Sequence, residues 1–133
     1  MKKPKPFVKV CESEILRRSV IVCCGAKAEL EKLLAGASKG YRLSKAEADE
    51  TWKHLETCWA EAIDGEHKSL GFTTRFHGDV FVVLPEWDSR VFVHEAYHAV
   101  RLVLKEVSSD DEELGAYLVE WLFEKVCWNG GRK

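Results

Sequence analysis

The feature that most constrains the fold of this chain is an apolar, helix-forming segment that carries three ionisable side chains in its middle. Residues 91–100 read VFVHEAYHAV. Positions i and i+4 of a helix lie on one face, so His94 and His98 can direct two imidazoles at the same point. Glu95 is rotated toward the apolar side of the helix, where an unpaired carboxylate is costly. The segment is therefore predicted to be a helix with one buried flank. The presence of two histidines and a glutamate on such a helix calls for a structural or functional explanation.

Histidines at this spacing are a common zinc-binding pair, because tetrahedral zinc accepts imidazole nitrogens at about 2.0–2.1 Å. In the HExxH pattern the two histidines bind zinc, and the glutamate accepts a proton from a zinc-bound water. We therefore predict that His94 and His98 are zinc ligands and that Glu95 is the general base of a hydrolase. A catalytic zinc needs a third protein ligand and one open position. The helix after the HExxH segment is the best place for that ligand.

A plainer interpretation of the same segment is a solvated helix face. One polar stripe runs along the otherwise apolar helix and consists of His94, His98, Arg101 and Lys105. A solvated stripe does not account for Glu95, whose carboxylate is expected on the buried side. We therefore favour the metal site.

The rest of the chain predicts the strands and helices of one domain that spans residues 1–133. Strands are predicted at 7–12, 18–24, 71–76 and 79–85, and helices at 26–36, 44–65, 89–106 and 112–128. His77 and Gly78 form the turn of a β-hairpin, and Asp88 or Ser89 begins the HExxH helix. This order predicts an α+β fold with a small antiparallel or mixed sheet, in which the C-terminal helix packs against the HExxH helix. The prolines of MKKPKP predict an extended arm over residues 1–6.

The two C-terminal helices together resemble a known family. The segment HEAYHAV is followed on the last predicted helix by ELGAY. This arrangement resembles the HExxH…ExxA[YN] motif of small zincin-type metallopeptidases, and it is most similar to uncharacterised members encoded by phages and prophages. The resemblance covers roughly residues 71–127 and implies a minimal zincin-like core. It also implies that Glu113 is the third zinc ligand, because Ala116 and Tyr117 follow in the family's register.

The residues alone leave two candidates for the third ligand, Glu112 and Glu113. Glu112 shares its helical stripe with apolar side chains that should face the core, whereas Glu113 shares a stripe with Tyr117 and Glu120. Either side chain can reach inward from the first turn of the helix. Asp110 and Glu113 also form a capping-box pattern at the start of this helix.

Attack of water on a carbonyl creates an oxyanion, which a hydrogen-bond donor stabilises. We predict Tyr117 for this role, because it lies in the first turns of the last helix beside Glu113. Three other candidates are Tyr97, His77 and Arg75. A purely structural interpretation of Tyr97 and Tyr117 is that both pack in the core and that each hydroxyl makes a hydrogen bond.

These residues predict a zinc-dependent hydrolase, and the family resemblance implies a metallopeptidase that acts on a peptide or protein. In zincin-like folds the strand before the metal helix lies beside the substrate, so the resemblance implies that the strand DVFVVL pairs with an extended peptide. The alternative is a non-catalytic interaction or anti-defence module on the same scaffold, in which zinc is structural or absent. The small size of the chain favours either a narrow substrate or no catalysis, because little remains to build a deep specificity cleft.

Composition and charge point away from several other classes. The net charge of −2 gives no electrostatic reason to expect nucleic acid or an anionic membrane as a partner, and the longest apolar stretches fall far short of a membrane span. The cysteines are Cys11, Cys23, Cys24, Cys58 and Cys127. Their odd number and the absence of a CxxC spacing indicate neither a disulfide framework nor a cysteine zinc site. We therefore predict buried free thiols in a reducing cytoplasm.

Overall fold

The computed structural model describes residues 5–13, 18–41, 45–106 and 111–128, so residues 1–4 of the predicted arm lie outside it. The strands are β1 (Phe7–Ser13), β2 (Arg18–Cys24), β3 (Phe72–Phe76) and β4 (Asp79–Leu84). The helices are α1 (Lys27–Tyr41), α2 (Lys45–Ala62), α3 (Ser89–Glu106) and α4 (Glu112–Phe123). A π-helical turn (Glu124–Trp128) continues α4. The small mixed sheet with its flanking helices confirms the predicted α+β fold.

The sheet has the strand order β1-β2-β4-β3, with β2 and β4 parallel in its centre and an antiparallel strand at each edge. Every residue of the central segments 20–24 and 80–84 is buried. Strands that are buried on both faces read as continuous apolar runs, as VIVCC and VFVVL do. Because a hairpin cannot join parallel strands, the connection between them is long. It contains α1, α2 and β3.

The central position of β4 corrects one prediction. DVFVVL was expected to pair with an extended substrate, but β4 is hydrogen-bonded to β2 on one side and to β3 on the other. Both sides of β4 are therefore already paired within the sheet, so β4 cannot take up a substrate strand and the prediction is wrong. The edge strand beside α3 is β3, whose outer side pairs with no other strand in the described part of the chain.

Alternate residues of the central strands contribute to two separate cores, one on each face of the sheet. Val22 of β2 and Val82 of β4 pack with the apolar sides of α3 and α4. Their neighbours Ile21 and Phe81 pack with α1 and α2 on the opposite face. The period of two along a strand explains this division. α3 and α4 therefore share one face of the sheet and contact each other, as predicted.

Local sequence signals set the ends of the hairpin and of α3. The hairpin turns at His77 and Gly78, whose φ angles of 52° and 83° are both positive, as a type I′ turn requires. The Oδ1 atom of Asp88 accepts hydrogen bonds from the backbone N–H groups of Arg90 (2.9 Å) and Val91 (3.3 Å). Asp88 is therefore the N-cap of α3. Both predictions are confirmed.

Several boundaries differ from the predictions; α2, for example, ends at Ala62 and not at Gly65. α1 continues through Gly36 and Gly40 to Tyr41, because each glycine costs only about 1 kcal/mol in a helix interior. The cap of α4 is Asp111 and not the predicted Asp110, which lies outside the described residues. The Asp111 side chain accepts a hydrogen bond of 2.9 Å from the backbone N–H of Glu113. Among the helices of the described ranges, none combines the length and the apolar character needed to cross a membrane.

Replacing Phe92 by alanine tests the packing of α3 on the sheet. The Phe92 side chain is fully buried, and its ring centroid lies 5.3 Å from that of Trp87. We expect Phe92→Ala to lower the free energy of unfolding by about 3–5 kcal/mol in urea denaturation, because the substitution leaves a cavity. Leu70→Ala, at a residue that is 70 % exposed, is the control and should cost less than about 0.5 kcal/mol. Equal losses in the two variants would contradict the described core.

Candidate metal centre

α3 presents the HExxH segment with one flank in the core and another in solvent. Phe92, Ala96 and Ala99 are buried in the core between α3 and the sheet. His94 and His98 lie on the exposed side of the helix, as a repeat of about 3.6 residues per turn requires. Both imidazoles can therefore be reached from solvent.

The two histidine side chains converge. Their Nε2 atoms are 3.2 Å apart, and their ring centroids are 4.7 Å apart at an interplanar angle of 82°. Two nitrogens bound to one tetrahedral zinc at about 2.0–2.1 Å lie about 3.3–3.4 Å from each other. The observed separation therefore fits a shared zinc ion, and it also fits a hydrogen bond between the two rings. His94 and His98 are thus brought together as the sequence predicts.

Glu95 lies on another flank of α3 and faces β3. The residue is only 7 % exposed, and its Oε1 atom accepts a hydrogen bond of 2.7 Å from the Thr73 hydroxyl. The same hydroxyl lies 3.1 Å from the Glu95 backbone carbonyl oxygen. Among the residues that the structure describes, Oε2 has no hydrogen-bond partner. The expected position of Glu95 on the buried side is confirmed, and Thr73 supplies a donor that burial of a carboxylate demands.

Gly71 allows β3 to approach α3 this closely. A Cβ atom at position 71 would lie 3.1 Å from both Val91 Cγ1 and the Val83 carbonyl oxygen, and 3.4 Å from Glu95 Cγ. Ordinary contacts between carbon atoms are about 3.5–4.0 Å. A larger residue at position 71 would therefore push the strand outward and draw the Thr73 hydroxyl away from the carboxylate.

α4 runs antiparallel to α3 along the same face of the sheet. At one end of the pair, a Cβ atom on Gly115 would lie 3.3 Å from Leu104 Cδ1. At the other end, the ring centroids of Phe123 and Phe92 are 6.0 Å apart. The start of α4 therefore lies beside the end of α3, and the end of α4 beside the start of α3.

This packing places Glu113 away from the two histidines. Glu113 is in the first turn of α4, at the C-terminal end of α3. His98 precedes Leu104 by six residues, which corresponds to about 9 Å along the helix axis. Within the described residues, no three His, Cys, Asp or Glu side chains form a group that could hold a metal ion. Glu113 as the third ligand therefore stays a prediction.

Glu120 is a further acidic residue of α4, which the sequence does not single out as a ligand. Within the described residues it forms no metal-holding group with the two histidines, as is also true of Glu113. Glu120 lies between the two interhelical contacts, at the level of the middle of α3, and it lines a groove together with Tyr97 and Arg101. These two residues flank His98 on the helix. In two antiparallel helices, residues that are equally far from the connecting turn lie opposite each other. Counting residues from the turn along α3 and α4 would therefore have pointed to Glu120.

The groove between α3 and α4 is open and has a volume of about 980 Å³. Its lining includes the apolar residues Val100, Leu104, Ala116, Val119 and Phe123. Its polar lining includes Glu112, Glu120 and Glu124. An apolar surface with a few polar groups is typical of a site that takes up a ligand.

The structure separates the candidates for oxyanion stabilisation. Tyr117 is 53 % exposed on α4 and lies outside the lining of the groove, so its predicted catalytic role stays a prediction. Tyr97 lines the groove, and its ring centroid is 6.0 Å from that of His98. His77 lies at the hairpin turn, and Arg75 is exposed on β3. Of the four candidates, Tyr97 is the one placed beside a zinc-ligand candidate.

Comparisons of this chain with models of protein families, with curated proteins and with solved structures each find no match. No relative therefore identifies an activity. The chemistry and geometry of the described residues carry the functional conclusion.

Replacing Thr73 by valine tests the contact between β3 and Glu95. Valine has the shape of threonine but no hydroxyl, so the buried Glu95 carboxylate would lose the donor to Oε1. We expect Thr73→Val to lower the free energy of unfolding in urea by about 1–3 kcal/mol, the cost of a buried polar group without its partner. Thr73→Ser keeps the hydroxyl and is the matched control, with a smaller loss. A valine variant that is as stable as the serine variant would show that the hydrogen bond is absent.

Proposed function

We propose that this protein is a zinc-dependent hydrolase, a metallopeptidase that cleaves a peptide bond in a peptide or protein. The observation that carries the proposal is the 3.2 Å separation of the His94 and His98 Nε2 atoms, which is within about 0.2 Å of the separation in a tetrahedral zinc site. Both residues belong to an HExxH sequence on a helix whose intervening glutamate is buried. A purely solvated polar stripe would not require a carboxylate in that position.

Glu95 is the proposed general base. When bound, zinc supplies Lewis acidity, which lowers the pKa of a water toward neutrality and polarises a carbonyl. Glu95 accepts the proton of the attacking water and passes it to the leaving amine. The Thr73 hydroxyl donates to Oε1, so it orients the carboxylate and leaves Oε2 for the proton. Thr73 is a positioning residue in this proposal.

An extended peptide is the proposed substrate, and two features of the fold support this class. β3 is an edge strand beside α3, and an edge strand can pair with an extended peptide through its backbone. The groove between α3 and α4 has apolar walls that suit an apolar side chain of such a peptide. Tyr97 and Tyr117 are the proposed donors to the oxyanion, and the position of Tyr97 beside His98 favours it.

Glu95→Gln tests the base. We expect the substitution to lower the rate of peptide cleavage by about 10²–10⁴-fold, because the amide cannot accept the proton, and to leave the zinc content of the purified protein unchanged. Cleavage of a peptide library, read by mass spectrometry with and without a chelator, measures the rate. Glu66→Gln, at an exposed residue outside the site, is the matched control with unchanged cleavage. A Glu95→Gln variant that cleaves at the normal rate would remove Glu95 from the mechanism.

The third ligand is tested by zinc affinity. The family resemblance implies Glu113, and Glu120 is the alternative because it lines the groove together with Tyr97 and Arg101. We expect either Glu113→Gln or Glu120→Gln to weaken zinc binding by about 100-fold or more, since loss of a partner outside the ligand shell alone costs about 10–100-fold. Competition with a coloured chelator measures the affinity, and His94→Ala gives the reference loss. If neither substitution weakens binding, neither glutamate is a ligand.

The same measurements separate the hydrolase from a binding module on this scaffold. One zinc per chain without cleavage of any peptide would favour a module in which the metal is structural. We place the protein in a reducing cytoplasm, and the four cysteines whose side chains are described support this proposal because all are free thiols.

A further inference from the structure

The opposite face of β3 carries a second cluster of reactive side chains. It is formed by His54 and Cys58 of α2 and by Thr74 of β3. His54 and Cys58 are at positions i and i+4, so they lie one helical turn apart. Thr74 follows Thr73 directly, and successive side chains of a strand leave opposite faces of the sheet. The cluster therefore lies across the sheet from α3 and shares no residue with the metal centre.

The three side chains form a triangle of polar contacts. His54 Nε2 lies 2.9 Å from Thr74 Oγ1 and 3.6 Å from Cys58 Sγ. The Cys58 thiol lies 3.7 Å from Thr74 Oγ1. The His54 ring stacks on the Phe76 ring, with centroids 4.6 Å apart and an interplanar angle of 15°. The stack and the contact with Thr74 hold the imidazole so that Nε2 stays beside the sulfur.

Cys58 differs from the other described cysteines, which corrects the prediction that all of them are buried. Cys11, Cys23 and Cys24 are buried, whereas Cys58 is only partly buried. Burial raises the pKa of the Cys11 and Cys24 thiols to about 11 and that of the Cys23 thiol to about 12. Such thiols hold almost no thiolate near neutral pH, and the thiolate is the nucleophile. Of these four cysteines, Cys58 alone is partly exposed and has an imidazole beside its sulfur.

We propose that Cys58 is a reversible modification site that exchanges with small-molecule disulfides, with His54 as its proton acceptor. His54 Nε2 takes the proton of the Cys58 thiol, and Sγ attacks one sulfur of the disulfide. The disulfide bond of the reagent breaks as the bond to Sγ forms. The departing thiolate takes the proton from His54 and leaves as a thiol. Cys58 is oxidised to a mixed disulfide while one half of the reagent is reduced, so no further oxidant or reductant takes part.

The pairing of a cysteine with a histidine is an arrangement that activates sulfur as a nucleophile. The exchange needs no metal and none of the residues His94, Glu95 and His98. It is therefore independent of the proposed hydrolase activity, and either one can fail without the other. An adduct on Cys58 would lie on the face of the edge strand opposite Glu95.

The test is the rate at which each cysteine of the full chain reacts with oxidised glutathione. The protein is reduced, freed of reductant and incubated under native conditions, and peptide mass spectrometry locates the mixed disulfides. We expect Cys58 to react about tenfold or more faster than Cys11, Cys23 and Cys24. We expect His54→Gln to slow the reaction of Cys58 by about tenfold. His67→Gln, at an exposed histidine outside the cluster, is the matched control with an unchanged rate.

Three outcomes would overturn the proposal. They are equal rates at Cys58 and the buried cysteines, an adduct at Cys127 with none at Cys58, and an unchanged rate in a folded His54→Gln variant. Slow reaction of the buried cysteines reports that this variant is folded. If they react quickly, Thr74→Val replaces it, because this change removes the hydroxyl that holds His54. The same slowing at Cys58 is then expected. An unchanged rate of exchange at Cys58 would show that His54 is not its proton acceptor.

Discussion

Burial of β2 and β4 on both of their faces is the constraint on which the rest of the structure depends. Two parallel strands of this kind need helices on each face of the sheet, because their apolar side chains point alternately to the two faces. α1 and α2 cover one face, and α3 and α4 cover the other. α3 follows β4 after a short connection, so its HExxH segment lies between the edge strand β3 and α4. The position of the histidines is thus a consequence of how the central strands are covered.

Features that depend on neighbouring residues could be predicted from the sequence. The HExxH helix, its cap at Asp88 and the turn at His77 and Gly78 all arise from side chains or backbone angles a few residues apart. The burial of Glu95 also follows from helical spacing alone. For the same reason the two imidazoles were expected to meet, since the four-residue interval between them sets their geometry.

Features that depend on how elements pack could not be read from local patterns. The position of each acidic residue of α4 along α3 depends on the offset between these two antiparallel helices. This offset sets Glu120 closer than Glu113 to the level of His98. The inner position of β4 depends on the strand order, which is a property of the whole sheet. Thr73 gains its role only because Gly71 lets the strand approach α3. A threonine in a β-strand carries no signal of such a partner by itself.

The adjacent hydroxyls of β3 give the hairpin turn an importance that its own residues do not reveal. Thr73 faces Glu95, and Thr74 faces His54 and Cys58 on the other side of the sheet. A slip of one residue between β3 and β4 would exchange the two faces and detach both hydroxyls at once. The two-residue turn with positive φ angles prevents this slip by locking the alignment of the strands. A single-residue insertion at this turn would shift the alignment and remove both hydroxyl contacts together, although every side chain that takes part in them would still be present.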